Sequence, residues 1–144
     1  MEELVDINHI EAKVEAKDWK DAIRKAGALL LNSDDIEEAY IENMIRSVEE
    51  LGPYMVLSKG FALAHSAPCP EVKRTSVSLV NLSEPVEFGS RNDPVTVVMC
   101  LACKDKGDHM EYLQKIARKL MEDNMINRLG SCTDTKELYA TING

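Results

Sequence analysis

The sequence predicts an α/β fold: one domain over residues 1–144, built as a mixed sheet of about five strands with helices on both faces. Three observations carry this. Segments with apolar residues three and four apart occupy both ends of the chain, whereas the middle, from about residue 54 to 104, is made of short runs with strand patterning. A length of 144 residues with 44% hydrophobic content suits a single core. No repeat, low-complexity tract or linker divides it.

Taken in order, "HIEAKVEAK" (9–17) alternates Ile10, Ala12, Val14 and Ala16 with charged neighbours, the pattern of a half-buried strand. In "DWKDAIRKAGALLLNSDDI" Asp18 serves as cap for a helix burying Trp19, Ile23, Ala26 and Leu30. "SDDIEEAYIENMIRSVEELG" repeats the scheme, with Ser33 as cap, Ile36, Tyr40, Met44 and Val48 inside and Gly52 at the end. "YMVLS" and "FALAH" read as strands around a Lys59-Gly60 turn. "TSVSLVNLS" (75–83) sets Val77, Leu79 and Asn81 against Ser78, Val80 and Leu82. "PVTVVMCLACK" (94–104) is apolar nearly throughout, as a strand covered on both faces should be. "GDHMEYLQKIARKLM" (107–121) returns to helix, with Asp108 as cap and Met110, Leu113, Ile116, Ala117 and Leu120 inward. Short helical pieces near 122–129 and 134–142 close the chain.

The net charge of −8 disfavours nucleic acid and anionic membranes as partners. Its distribution is uneven: residues 1–50 hold 14 acids and 6 bases, and residues 51–144 hold 11 of each. Between 51 and 83 the only acid is Glu71, against Lys59, Lys73 and Arg74, so the stretch around His65 is locally basic. No apolar run is long enough to span a bilayer and no leader pattern is present, which reads as a cytoplasmic chain. Four cysteines (69, 100, 103 and 132) have no framework spacing and are expected as reduced thiols.

Motifs for nucleotide cradles, G-x-x-x-x-G-K-[ST] or G-x-G-x-x-G, are absent, as is H-E-x-x-H; no cofactor or metal is expected. The single "CLAC" (100–103) lies within the most apolar strand, where residues three apart point to opposite faces, so Cys100 and Cys103 read as core. His9, in the charged N-terminal segment, reads as a solvated surface ring. His109 opens a helix, where free amides favour an anion. His65 ends a strand immediately before the rigid loop "SAPCP". A neutral imidazole is a competent nucleophile near neutral pH, although a structural histidine satisfies the same spacing. Cys69 lies four residues on, but nothing else of a thiol-enzyme constellation accompanies it.

The ordered set "GPYMVLSKGFALAHSAP", "VKRTSVSLVNLSEPVEFG" and "NDPVTVVMCLACKDKGDH", with Trp19 in "DWKDAIRKAG", resembles the IIA components of the sugar phosphotransferase system. The resemblance is to the mannitol/fructose-type class, nearest its ascorbate-specific branch, and it covers nearly the whole chain as a type-2 EIIA domain. It implies a five-stranded mixed sheet between helices. It further implies that His65 takes a phosphoryl group, on the ring nitrogen remote from the main chain, from the phosphohistidine of the carrier protein HPr. The group then passes to a cysteine of a IIB component, which serves a membrane IIC permease, with ascorbate as the favoured sugar. His109 would stabilise the phosphoryl group, helped by amides around 66–67 and 107–110, with Lys59, Lys73 and Arg74 as further cations. A homodimer is left open.

The chain departs from the family pattern beside the nucleophile. Many relatives carry Pro immediately before it and Gly-Arg or Ala-Arg after it, where this chain has Ala64 and Ser66-Ala67. Two other readings therefore stand beside the first. One is a regulatory protein like the nitrogen-type relatives, whose phosphorylation state selects its partners. The other is a degenerate copy that keeps the fold and takes no phosphoryl group.

Overall fold

The computed structural model describes residues 3–144. Five strands, β1 (Ile10–Val14), β2 (Val56–Ser58), β3 (Phe61–His65), β4 (Ser76–Val86) and β5 (Val95–Ala102), form one sheet in the order β1-β4-β5-β3-β2. It is mixed, as expected: β1–β4 and β3–β5 are parallel, β4–β5 and β2–β3 antiparallel. Helices α1 (Trp19–Asn32) and α2 (Glu38–Leu51) cover one face. Helices α3 (Lys106–Leu120), α4 (Met125–Gly130) and α5 (Thr135–Asn143) cover the other. No helix among the described residues is long and apolar enough to cross a membrane.

Strand parity distributes the core. In β4, Val77 and Leu79 pack under α3–α5, and Val80 and Leu82 under α1–α2. β5 follows the same rule, and Cys100 within it and Cys103 just past its end are buried on opposite sides. Three polar side chains are buried in β4, and each is hydrogen-bonded: Ser76 Oγ donates to the Arg74 carbonyl at 3.4 Å. Ser78 Oγ donates to the Ala26 carbonyl at 2.7 Å, and Asn81 Nδ2 to the carbonyls of Leu129 and Cys132 at 2.9 and 2.8 Å.

Several local expectations are corrected. The alternation assigned to 9–17 breaks at Lys13, whose φ is +57°. Ile10 and Ala12 face α3–α5, but Val14 and Ala16 face α1–α2, because the bulge shifts the register and flips every later side chain. The Lys13 amide donates instead to Asn81 Oδ1 at 2.7 Å. Asp18 caps α1 as anticipated, accepting from the Asp21 amide at 2.8 Å. Ser33 does not cap α2; it is the C-cap residue of α1, and α2 begins after Glu37, with no side-chain cap. Ile36 lies ahead of α2, buried in a bridge to Val72. The cap of α3 is Asp105, whose carboxylate accepts from the Asp108 amide at 2.8 Å. Of the five residues expected inward on α3 only Ile116 is fully buried; Met110 is 57% exposed and Ala117 also faces solvent.

Candidate functional site

His65 is the last residue of β3, and β3 is paired with β5 along its whole length, down to His65 opposite Leu101. The strand is preceded by Gly60, which turns from β2 with φ +83°, a conformation that favours glycine, and whose carbonyl accepts the amides of Thr96 and Val97. Phe61 and Leu63 face α3–α5, so by parity His65 points to the same side. Ala62 and Ala64 face α1–α2 and are buried. With Ala64 ahead of it, the strand stays paired in regular register up to the histidine.

The same face brings α3 over the strand end. Asp105 caps the helix, and Asp108 accepts a 2.6 Å hydrogen bond from Thr75 Oγ1, which in turn accepts the Lys104 amide. This pins the helix start to the beginning of β4 and sets His109 in its first turn. The rings of His65 and His109, 44 positions apart in sequence, lie 5.9 Å apart between centroids at 48°. His109 Nδ1 is buried and is one of two buried side-chain polar atoms without a partner among the described residues.

The tautomer of His65 is fixed by its own strand. Nδ1 lies 2.7 Å from the Leu63 carbonyl, which only accepts, so Nδ1 carries the proton and Nε2 keeps its lone pair. Burial depresses the His65 pKa; the Leu63 hydrogen bond opposes this and His109 adds to it. The ring is therefore neutral at pH 7. An NMR titration is expected to place its midpoint below the ordinary histidine value of about 6.5. The depressed value makes the folded state bind the proton less well than the unfolded state. The resulting stability is present above the unfolded value and lost as pH falls through the folded one. A midpoint at or above the ordinary value would contradict the burial argument.

Two tyrosines, not singled out as functional by spacing, complete the surroundings. Tyr40 of α2, fully buried, donates from Oη to the Leu101 carbonyl at 2.9 Å and accepts the Ser66 amide at 3.0 Å. Burial raises its pKa far above the ordinary phenol range. Tyr54, just before β2, donates from Oη to the His65 carbonyl at 3.2 Å, and its ring meets the imidazole edge-on at 5.5 Å. The available sequence signal was the core position of Tyr40, since a buried phenol needs a partner.

Other candidates fall outside this constellation. His9 is not a solvated ring: its side chain is 13% exposed, with Nε2 3.0 Å from Ser33 Oγ and 3.5 Å from a buried Asp35 carboxylate oxygen. Both contacts use the same ring nitrogen, so this is not a relay. Lys73 and Arg74 are engaged by Asp34 at 2.6 Å and Asp35 at 3.6 Å, and both, like Lys59, are exposed to solvent. Cys69 sits beside Glu71 rather than His65, and burial raises its pKa, the reverse of an activated thiol. Among the amides expected to help, that of Ser66 is taken by Tyr40, that of Asp108 by the Asp105 carboxylate and that of His109 by the Asp105 carbonyl.

Comparison with known proteins shows the family and the fold. Residues 3–144 match the family model described as phosphoenolpyruvate-dependent sugar phosphotransferase system, EIIA 2. The ascorbate-specific PTS system EIIA component of Salmonella typhimurium is 33% identical over 141 residues, 96% of this chain and 92% of that protein. The solution structure of the mannitol-specific cryptic phosphotransferase enzyme IIA CmtB from Escherichia coli is 28% identical. It has a TM-score of 0.86 over 96% of this chain and 93% of that one. The complex of enzyme IIAMTL with phosphorylated enzyme IIBMTL from Escherichia coli, at 23% identity and a TM-score of 0.81, covers 96% of each chain and shares the fold. The chain belongs to the EIIA 2 family of the phosphoenolpyruvate-dependent sugar phosphotransferase system.

Proposed function

We propose that this protein is a cytoplasmic phosphocarrier for sugar uptake, working as one domain over residues 1–144, and that His65 is its phosphoryl acceptor. The observation that carries the reading is the His65 ring itself: Nδ1–H is held by Leu63, the neutral ring keeps its lone pair on Nε2, and the His109 ring lies 5.9 Å away between centroids at a half-buried strand end. In the first step the P–N bond of the HPr phosphohistidine breaks as a P–N bond forms at His65 Nε2. In the second that bond breaks and a P–S bond forms on a IIB cysteine thiolate, regenerating the neutral imidazole. Phosphoryl transfer of this kind rests on in-line positioning and charge stabilisation, and with side chains as donor and acceptor it needs no nucleotide pocket. His109 supplies stabilisation: its unpartnered buried Nδ1 is the atom whose hydrogen-bonding capacity a phosphoryl oxygen would satisfy. The N-terminus of α3 favours the same negative charge.

The rim fits macromolecular partners. Tyr54, in the loop before β2 and against the His65 ring, and Met110, next to His109 in α3, are exposed large side chains. Aromatic residues and methionine are enriched in transient interfaces. Ascorbate is the sugar favoured by the kinship to ascorbate-specific proteins, and a membrane IIC permease is served indirectly through IIB.

The test is intact-mass measurement after incubation with Enzyme I, HPr and phosphoenolpyruvate at mildly alkaline pH, where phosphohistidine survives. One added phosphoryl group is expected. None, with folded protein and cognate HPr, would favour the degenerate copy. In the same assay His109→Ala should still take up phosphoryl, while onward transfer to the IIB cysteine slows by about 10²-fold, the size of a lost charge-stabilising donor. Onward transfer at the wild-type rate would remove His109 from the reaction.

A further inference from the structure

The peptide unit that follows His65 is held at both of its polar atoms by tyrosine hydroxyls. Its carbonyl, that of His65, accepts from Tyr54 Oη at 3.2 Å; its amide, that of Ser66, donates to Tyr40 Oη at 3.0 Å. The two phenols come from different places. Tyr40 reaches out of the α2 layer and is completely buried, while Tyr54 closes from the loop before β2 and is partly open to solvent. Tyr40 Oη also donates to Leu101, the β5 residue in register with His65, so one hydroxyl ties α2, β5 and the strand exit together. The Tyr54 ring stands edge-on to the imidazole. The arrangement is unusual because the strand ladder ends here: beyond His65 no β-partner remains to orient the backbone.

We propose that Tyr40 and Tyr54 are positioning residues for His65, acting as a two-sided clamp on the His65–Ser66 peptide that sets the direction of Nε2. The inference rests on His65 being the nucleophile. The chemical reason is the short lever between peptide and ring. The imidazole is fixed by only two internal constraints, the backbone dihedrals of His65 and the Nδ1–H bond to Leu63. Rotation of the following peptide changes the first and strains the second. Ser66 has an amide that would otherwise be free to turn toward the site, and the clamp turns it inward to Tyr40 instead. The phosphoryl group is then left to His109 and the ring environment.

The experiment uses the full chain with Tyr40→Phe, Tyr54→Phe and the double variant. Each phenylalanine keeps the ring and deletes only the hydroxyl. Two readouts are needed: single-turnover phosphoryl uptake from phosphorylated HPr, and the ¹⁵N chemical shifts of His65, which report its tautomer. Each single variant should slow uptake by about tenfold through misorientation of the nucleophile. Because both hydroxyls hold one peptide, the double variant should be slowed by much less than the product of the two. The Nδ1-protonated tautomer fraction of His65 should fall in step. Uptake within about twofold of wild type in both single variants, or effects that simply multiply while the tautomer stays fixed, would overturn the clamp. Should Tyr40→Phe fail to fold, Tyr54→Phe decides alone, since its ring lies near the surface. If the wild-type protein accepts no phosphoryl group, the nucleophile assignment fails, yet the tautomer measurement still judges the clamp.

Discussion

His65→Ala is expected to remove phosphoryl uptake from HPr altogether, a loss of at least about 10³-fold in rate, as deletion of a nucleophile does. The fold should survive, because His65 ends its strand and is only half-buried, while the β3 residues that fill the core, Phe61 to Ala64, are untouched. Circular dichroism and melting would verify that. Full phosphorylation of the His65→Ala protein would end the assignment. A phosphoryl group mapped to His109 in that variant would move the acceptor by 5.9 Å and reverse the two roles.

Asn81→Ala should cause the largest stability loss from a single polar substitution. Asn81 is completely buried in β4, and its one amide group serves three backbone partners: the Lys13 amide at the β1 bulge and the carbonyls of Leu129 and Cys132 around α4. Removing it strands the buried Cys132 carbonyl, leaves the Leu129 carbonyl only its 3.3 Å bond from the Cys132 amide, and releases the bulge from the sheet. Unpaired buried groups cost about 1–3 kcal/mol each, and the effects overlap, so a total of about 3 kcal/mol is expected. That corresponds to a melting temperature lower by roughly 10 °C. Asn81→Asp should be worse, since it faces two acceptor carbonyls with another acceptor. Calorimetry of both variants checks this; a loss below about 1 kcal/mol for Asn81→Ala would mean that water reaches the vacated site. Phosphoryl uptake by whatever fraction remains folded should be unchanged, as Asn81 lies far along the sheet from the strand end that carries His65.

Much of this protein was legible in sequence because its signals are local. Period-two and period-3.6 patterning located the five strands and five α-helices but not the 3-10 turn at Ile7–His9, the run from Pro94 to Lys104 announced a strand covered on both sides, and "CLAC" was correctly assigned to opposite faces. His65 and His109 were marked by residue type and by the motifs around them. What failed was decided by groups distant in sequence. The Lys13 bulge depends on an amide 68 residues away, and its flip of Val14 and Ala16 is invisible to alternation. Ser33 has the residue type of a cap, but α1 runs on to meet it. Met110 fits the helix period, yet it stands 57% exposed, because among the inward positions of α3 only Ile116 is fully covered by the sheet. His9 was read from its charged neighbours, whereas Ser33 and Asp35 fold back over it.

The sequence by itself therefore determined the elements, the layered class and the identity of the ionisable rings, because those follow from side-chain chemistry and short-range periodicity. Only the tertiary structure decided the sheet order, the meeting of His65 with His109, and the clamping of the His65–Ser66 peptide by Tyr40 and Tyr54. Each of these joins residues far apart in the chain. The physical reason is that such contacts are fixed by the packing of whole layers against one sheet, and no interval of local sequence encodes which distant hydroxyl or ring will arrive at a given strand end.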